Sequence, residues 1–179
     1  MARSNTRDEI LAAAARQFAA AGFKGTSLHD IAVEVGCSKA ALLYHFDSKE
    51  AILTELCAPA IAELAELDTR LTALGPESAR VAAIEGFVDL VMRYRKEIQV
   101  IYGDLPALLE QPAFQHVQLM TQRLQECLAG SSATLTTQVA AKIVLAGVSA
   151  TAFACTDHSD EDLRPALIEA AGRILAPLE

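Results

Sequence analysis

The sequence predicts an all-α protein of about nine helices, a small three-helix bundle at the N-terminus followed by a larger helical domain. Three observations carry this. The composition is 52% apolar but only 5% aromatic, and it is rich in Ala and Leu, as in closely packed helices. Apolar residues recur at helical spacing along the chain, with few alternating β-branched runs. Ser or Thr stands before many of these segments, and Gly or Pro stands after many of them.

In chain order, residues 1–5 read as a mobile arm. Thr6 and Glu9 form a capping box, after which Ile10, Leu11, Ala14 and Phe18 line one face up to Gly22. Arg7 and Arg16 lie off that face, Arg16 as a solvated charge. Ser27 and Ser38 each sit just ahead of a short apolar-periodic segment, with Gly36 between the segments where a left-handed backbone is needed. Leu28, Ile31, Ala32 and Val35 of the first segment are expected to meet Ala41, Leu42 and Phe46 of the second. Two short helices joined by so tight a turn make a helix-turn-helix, whose second helix shows Lys39, Ala40, Leu43, Tyr44 and His45 outward. Such a face, part cationic, part aromatic and part small, suits the major groove of DNA. A plain helical hairpin fits the same spacing. Ser48 caps the next helix and puts Lys49 in its first turn, where a cation opposes the helix dipole. A phosphate is a natural partner for it.

The stretch TSLHDIAVEVGCSKAALLYHFDSKEAIL, with the preceding FAAAGFKGTS, resembles the TetR family of bacterial transcriptional regulators over roughly the first fifty residues. In that family the start of the first motif helix and the outer face of the second contact DNA. Carried over, the resemblance implies DNA contacts from Thr26, Ser27, Ser38, Lys39, Ala40, Tyr44, His45 and Lys49. This chain departs from the family at Leu43, which stands where a tyrosine is usual. The phosphate contact of that hydroxyl is left unassigned, and Leu43 offers a thymine methyl an apolar contact instead.

Beyond Ser48 a long helix runs through Leu53, Leu56, Leu64 and Leu71 to Gly75, with Pro59 expected to bend or loosen it. Pro76 opens the next, with Val81, Ile84, Phe87, Val88, Val91 and Met92 inward and Arg93, Arg95 and Lys96 near its end. A shorter helix near Ile98 to Tyr102 and a broken stretch containing Pro106 and Pro112 follow. The next helix carries Phe114, Val117, Met120, Leu124 and Leu128 to Gly130. The segment from Thr134 or Thr136 to Cys155 has Lys142 as its one ionised residue. The last, from Asp162 to Leu178, bears an apolar band of Leu163, Leu167, Ile168, Ala171, Ile174 and Leu175, and Ser159 and the acids after it suit its start. Helices apolar on most sides need a partner, and a second copy of the chain is expected to supply it. The resemblance agrees, since TetR-like proteins are two-fold dimers joined by their last two helices. The domain division is placed at 1–48 for DNA binding and 49–179 for effector binding and dimerisation.

The formal charge is −8, from 15 Lys and Arg against 23 Asp and Glu, yet the first fifty residues hold six of each sign. That balance argues against a protein that coats DNA through bulk charge, and for a few cations placed at particular phosphates. Asp8 and Glu9 stand where the apolar core of a leader would begin, and Ile143 to Cys155 is short and interrupted by Ser and Thr, so a soluble cytoplasmic protein is expected.

Enzyme chemistry finds no purchase. Three residues before His29, His45, His116 and His158 stand Thr26, Leu42, Ala113 and Cys155, not the Glu of a di-metal bundle. HExxH, a phosphate loop and GxSxG are absent too, and no metal or cofactor is expected. Cys37, Cys57, Cys127 and Cys155 lie far apart and are expected to be reduced and mostly buried. A redox role for Cys155 beside His158 is the less economical reading.

The expected function is a sequence-specific DNA-binding regulator, a homodimer on a palindromic operator, with repression relieved by a small apolar effector as the resemblance implies. Candidate pocket residues are Phe87, Met92, Tyr94, Tyr102, Phe114, His116, Met120 and Phe153, for which ordinary core packing is the competing role. A helical-bundle enzyme or small-molecule carrier with a vestigial DNA-binding head is the alternative.

Overall fold

The computed structural model describes residues 2–103, 114–130, 134–155 and 157–176, with side chains from Thr6 to Val100 in the first of these stretches. The described residues form nine helices and no strand. These are α1 (Ala2–Gly25), α2 (Leu28–Val35), α3 (Lys39–His45), α4 (Lys49–Thr72), α5 (Pro76–Arg93), α6 (Arg95–Gly103), α7 (Gln115–Ala129), α8 (Leu135–Ala154) and α9 (Asp160–Leu175). The all-α class read from composition and periodicity is therefore the observed one. Two compact units can be distinguished. One is built on the chain up to Pro59 with a segment beginning at Lys96, the other on Ala60–Arg95 with a segment beginning at Phe114.

In the first unit, Ile10, Ala13, Ala14 and Phe18 of α1 are fully or almost fully buried, as are Ile31 and Ala32 of α2 and Leu42 of α3. Of the stripe read from the sequence, Ile10, Ala14 and Phe18 face inward, whereas Leu11 is half-buried and Ala13 takes the core position instead. α1 begins at Ala2, ahead of the expected cap at Thr6, so residues 2–5 continue the helix where an arm was expected. Its helical geometry breaks at Gly22 (φ 75°, ψ 163°). α4 is an unbroken helix through Pro59, which is exposed on its surface, and the division between the two units falls directly after this proline.

The second unit packs α5 against α7, α8 and α9, and α8 against α7 and α9. Pro76 takes the first position of α5, behind Gly75. The face of α5 differs from the expected one: Ala79, Ala83, Phe87, Val88, Leu90 and Val91 are buried, whereas Val81 is 57% exposed. Small alanines every four residues mark the centre of the buried stripe, and Val81 lies about 200° from Ala83 around the helix axis. α5 stops at Arg93 because Tyr94 leaves helical geometry (φ −115°, ψ 39°), so Arg95 and Lys96, expected near its end, open α6, the shorter helix expected near Ile98 to Tyr102. Of the Pro106 to Pro112 break nothing is described.

Ion pairs brace the unit. Arg123 of α7 grips Asp68 of α4 through two nitrogens, Nε at 2.6 Å. Arg164 of α9 does the same to Asp89 of α5 at 2.6 and 3.1 Å. Arg80 donates to the carbonyl of Leu175 at the end of α9, where a cation meets the negative pole of the helix. Thr134, not Thr136, caps α8 by accepting from the amide of Thr137, and Ser159 caps α9 as expected.

By length and apolar character alone α8 could cross a membrane, and a third of its most apolar window is buried within the protein. That window is longer than the Ile143 to Cys155 run weighed in the sequence. One side of it belongs to the unit's core, through Ala141, Val144, Leu145, Val148 and Ala152.

Candidate nucleic-acid interface

The helix-turn-helix is built by local chemistry. Ser27 and Asp30 close a reciprocal capping box: Ser27 Oγ accepts from the Asp30 amide at 3.2 Å, and the Ser27 amide donates to Asp30 Oδ2 at 2.9 Å. The Ser27 hydroxyl also donates to that carboxylate at 2.6 Å. Gly36 takes the left-handed conformation that ends α2 (φ 77°, ψ 26°), and its amide and that of Cys37 tie off the carbonyls of Val33 and Ala32. Two residues later Ser38 caps α3, accepting from the Ala41 amide at 3.0 Å. Each cap is worth about 1 kcal/mol, so the turn is specified by its own residues.

Beneath it, Leu42 and Phe46 are buried, α3 packs on α2, and Arg7 of α1 stands 4.4 Å over the Phe46 ring while pairing with Glu55. Ala41, expected among the packing residues, is exposed instead. Arg16 is exposed as expected, but it is paired: Arg16 Nε and Gln17 Nε2 donate to the two oxygens of Glu34 at 2.6 and 2.5 Å, tying α1 to α2. This tie escaped the sequence reading because it joins residues 17 and 18 positions apart, which no local spacing reveals.

The nine sequence-predicted DNA contacts fall into three sets. Lys39, Ala40, Leu43 and Tyr44 of α3 point outward, Tyr44 with 68% of its surface exposed, and half-buried His45 meets the Tyr44 ring edge-on at 5.4 Å. Ser27 and Ser38 are exposed, with their hydroxyls committed to the caps. Thr26 and Lys49 turn inward. Thr26 is 2% exposed, and Lys49 Nζ donates to the carbonyls of Phe23 and Thr26 at 2.6 Å each. Compensation for a cation at the start of α4 is therefore found within the chain, in the carbonyls of Phe23 and Thr26.

Two carboxylates of this unit are held below their ordinary values. For Asp30 the cause is the Ser27 hydroxyl first and the Ser27 amide second. For Glu34 it is Gln17 first and Arg16 second. A carboxylate depressed in the folded state lends stability that is whole above its unfolded pKa, ordinarily 3.8 for Asp and 4.5 for Glu, and is lost as pH falls through the lower folded value. Asp30→Asn and Glu34→Gln variants should therefore melt below the wild type at about pH 6 and converge with it towards about pH 3. Thermal melts across that range test this, and a constant gap would contradict it.

The candidate effector residues do not gather around a described cleft. Phe87, Phe114 and Met120 are buried in the core, Met92, Tyr94 and Phe153 are half-buried, and His116 is exposed. The Tyr102 side chain lies outside the described residues. A cleft of about 310 Å³ lies among Leu71, Leu74, Ala79, Arg123 and Cys127, and one of about 810 Å³ runs between Leu135, Val139 and Ile143 of α8 and Ile174 of α9. Of the four thiols only Cys57 is fully buried; burial first, and the Glu97 charge second, push it up to about 12. The others are half-buried, more open than expected. Among the described residues no three His, Cys, Asp or Glu side chains gather as a metal site.

Residues 10–56 match the model for bacterial regulatory proteins of the tetR family. The chain is 30% identical over 106 residues to the HTH-type transcriptional repressor KstR2 of Rhodococcus jostii, covering 54% of this chain and 52% of that protein. It is 48% identical over 46 residues to IcaR of Staphylococcus aureus, the negative regulator of a biofilm operon, covering 26% of this chain and 25% of that protein. The matches thus span about half or less of those relatives. A solved ketosteroid transcriptional regulator, KstR2 of Mycobacterium tuberculosis, shares the fold with a TM-score of 0.75 at 16% identity, over 94% of this chain and 92% of that one.

Proposed function

We propose that this chain, whose residues 10–56 match the tetR family of bacterial regulatory proteins, is a transcriptional regulator of that family that reads a palindromic operator as a homodimer and represses until a small apolar effector releases it. The observation that carries this is the outward face of α3. Its caps, core and turn are satisfied internally, yet Lys39, Ala40, Leu43 and Tyr44 remain presented to solvent. A base-reading helix needs such a face: a cation for a phosphate or guanine, and apolar groups for thymine methyls. Repression is the sense printed for both curated relatives.

The second copy is proposed to sit on α8 and α9. Leu135, Val139 and Ile143, four residues apart on one side of α8, are 77%, 45% and 52% exposed, and Ala146, Gly147 and Ala150 extend the same side with small residues. Ile174 of α9 is exposed beside them across the larger cleft. An apolar strip of this length on one helix is a protein interface in waiting, and two-fold pairing would hold two α3 helices at a fixed spacing. The division at 48/49 into a DNA-reading head and an effector and dimerisation domain, the effector itself and a cytoplasmic location belong to the same proposal.

Selection of bound fragments from the source genome tests it. The expected result is a two-fold symmetric consensus. Replacing Lys39 by Ala should weaken binding to that site and flatten the plot of log affinity against log salt by about 0.9 per subunit. Random recovery of fragments would contradict the proposal.

A further inference from the structure

At the end of α1 the helical geometry breaks at Gly22. Two side chains far from each other in sequence donate to carbonyls on either side of that break. The Thr26 hydroxyl, almost fully buried, shares its proton between the carbonyls of Gly22 at 2.9 Å and Gln17 at 3.1 Å. Lys49 reaches back from the first turn of α4 to the carbonyls of Phe23 and Thr26, and its ammonium stands 4.4 Å from the centre of the Phe23 ring. That ring packs in turn on Phe18 with centroids 5.3 Å apart.

The placement settles a conflict. A cation in the first turn of α4 is disfavoured by that helix's dipole, but at the C-terminal end of α1 it meets a negative pole, two carbonyl oxygens and an aromatic face. The ammonium is thus bound more strongly by the interior of the head than α4 alone would allow. One short junction, Phe23 to Thr26, is held from both sides, and it is the junction from which α2 and then α3 depart.

We propose that Lys49 and Thr26 are positioning residues for DNA recognition: they clasp the α1–α2 junction to the start of α4 and so set where α3 is presented, without touching a phosphate. This rests on the DNA-binding reading above. The proposal separates two effects that a phosphate-contacting lysine would merge. Loss of a phosphate contact lowers both affinity and its salt dependence. Loss of a clasp lowers affinity and leaves the salt dependence alone, because no counterion is released at that position.

The test is a salt titration of full-length variants on the selected duplex. Lys49→Met should bind about tenfold or more weakly with the wild-type slope, whereas Lys39→Met should lower the slope by about 0.9 per subunit. Thr26→Val, which removes no charge and keeps the side-chain shape, should weaken binding in the same way. The double variant should be no worse than the weaker-binding single, since both changes open one junction. Lys49→Arg and Thr26→Ser, which keep the donors, should stay within about threefold of the wild type. Circular dichroism of each variant verifies that the helices are formed. The clasp is overturned if Lys49→Met flattens the slope as Lys39→Met does, or if Thr26→Val binds like the wild type. A wild-type chain that binds no duplex at all would overturn the DNA-binding reading itself.

Discussion

A chain carrying Val139→Asp and Ile143→Asp is expected to sediment as a folded monomer and to bind the operator at least about a hundredfold more weakly than the wild type. Both side chains are about half exposed on α8, so the substitution removes little from the core, and the melting temperature of the isolated chain should hardly move. In the proposed dimer the same positions face their counterparts. Two new carboxylates per chain would then have to be desolvated without a cation opposite them, a cost of several kcal/mol that an apolar interface cannot repay. A lone head loses the gain that a second, tethered head provides. Analytical ultracentrifugation and fluorescence anisotropy on one preparation check both halves. A variant that stays dimeric would move the interface away from this face of α8.

Leu42→Ala is expected to destabilise the DNA-reading unit by about 2–5 kcal/mol and to abolish operator binding at physiological temperature. Leu42 is fully buried, as are Ile31 and, almost fully, Ala32 and Phe46 of the same unit, and α3 packs on α2. No atom of it reaches solvent, so any lost affinity comes from unfolding and not from a lost contact. A head this small has few other apolar side chains over which to spread a cavity. Chemical denaturation with operator binding measured in parallel should show the two falling together, and Leu43→Ala, on the exposed side of the same helix, should lower affinity with little loss of stability. A Leu42→Ala protein as stable as the wild type would refute the packing described for α3.

The features legible in the sequence are those written by neighbouring residues. Ser27, Gly36 and Ser38 announced the caps and the turn because a cap needs partners only two or three positions away. The outward face of α3 followed from its short period, once Leu42 and Phe46 were assigned inward. The roles of Thr26 and Lys49 were not legible, since the carbonyls that hold Lys49 lie 23 and 26 positions away. The composition of the segment could only say that a cation at the start of α4 required compensation. It could not say from where. The pairing of the exposed Arg16 is illegible for the same reason, its partner Glu34 lying on the next helix.

On α5 the error was of a different kind. Val81 was placed inward because it is large and apolar, but the stripe is centred on Ala79 and Ala83, whose small side chains carry a weak hydrophobic signal. The candidate effector residues are likewise chosen by type, as aromatic and Met side chains, and of these Phe87, Phe114 and Met120 are buried. Which residues surround a cleft depends on helix crossings that periodicity does not encode.

The central claim, that the face of α3 reads a base sequence, is tested most directly by titrating the wild-type protein against the selected site and a scrambled duplex of equal length at one salt concentration. A preference of roughly a thousandfold or more for the selected site is expected, with two chains bound per duplex. Equal affinity for the two duplexes would contradict it and leave a protein that holds DNA by charge alone.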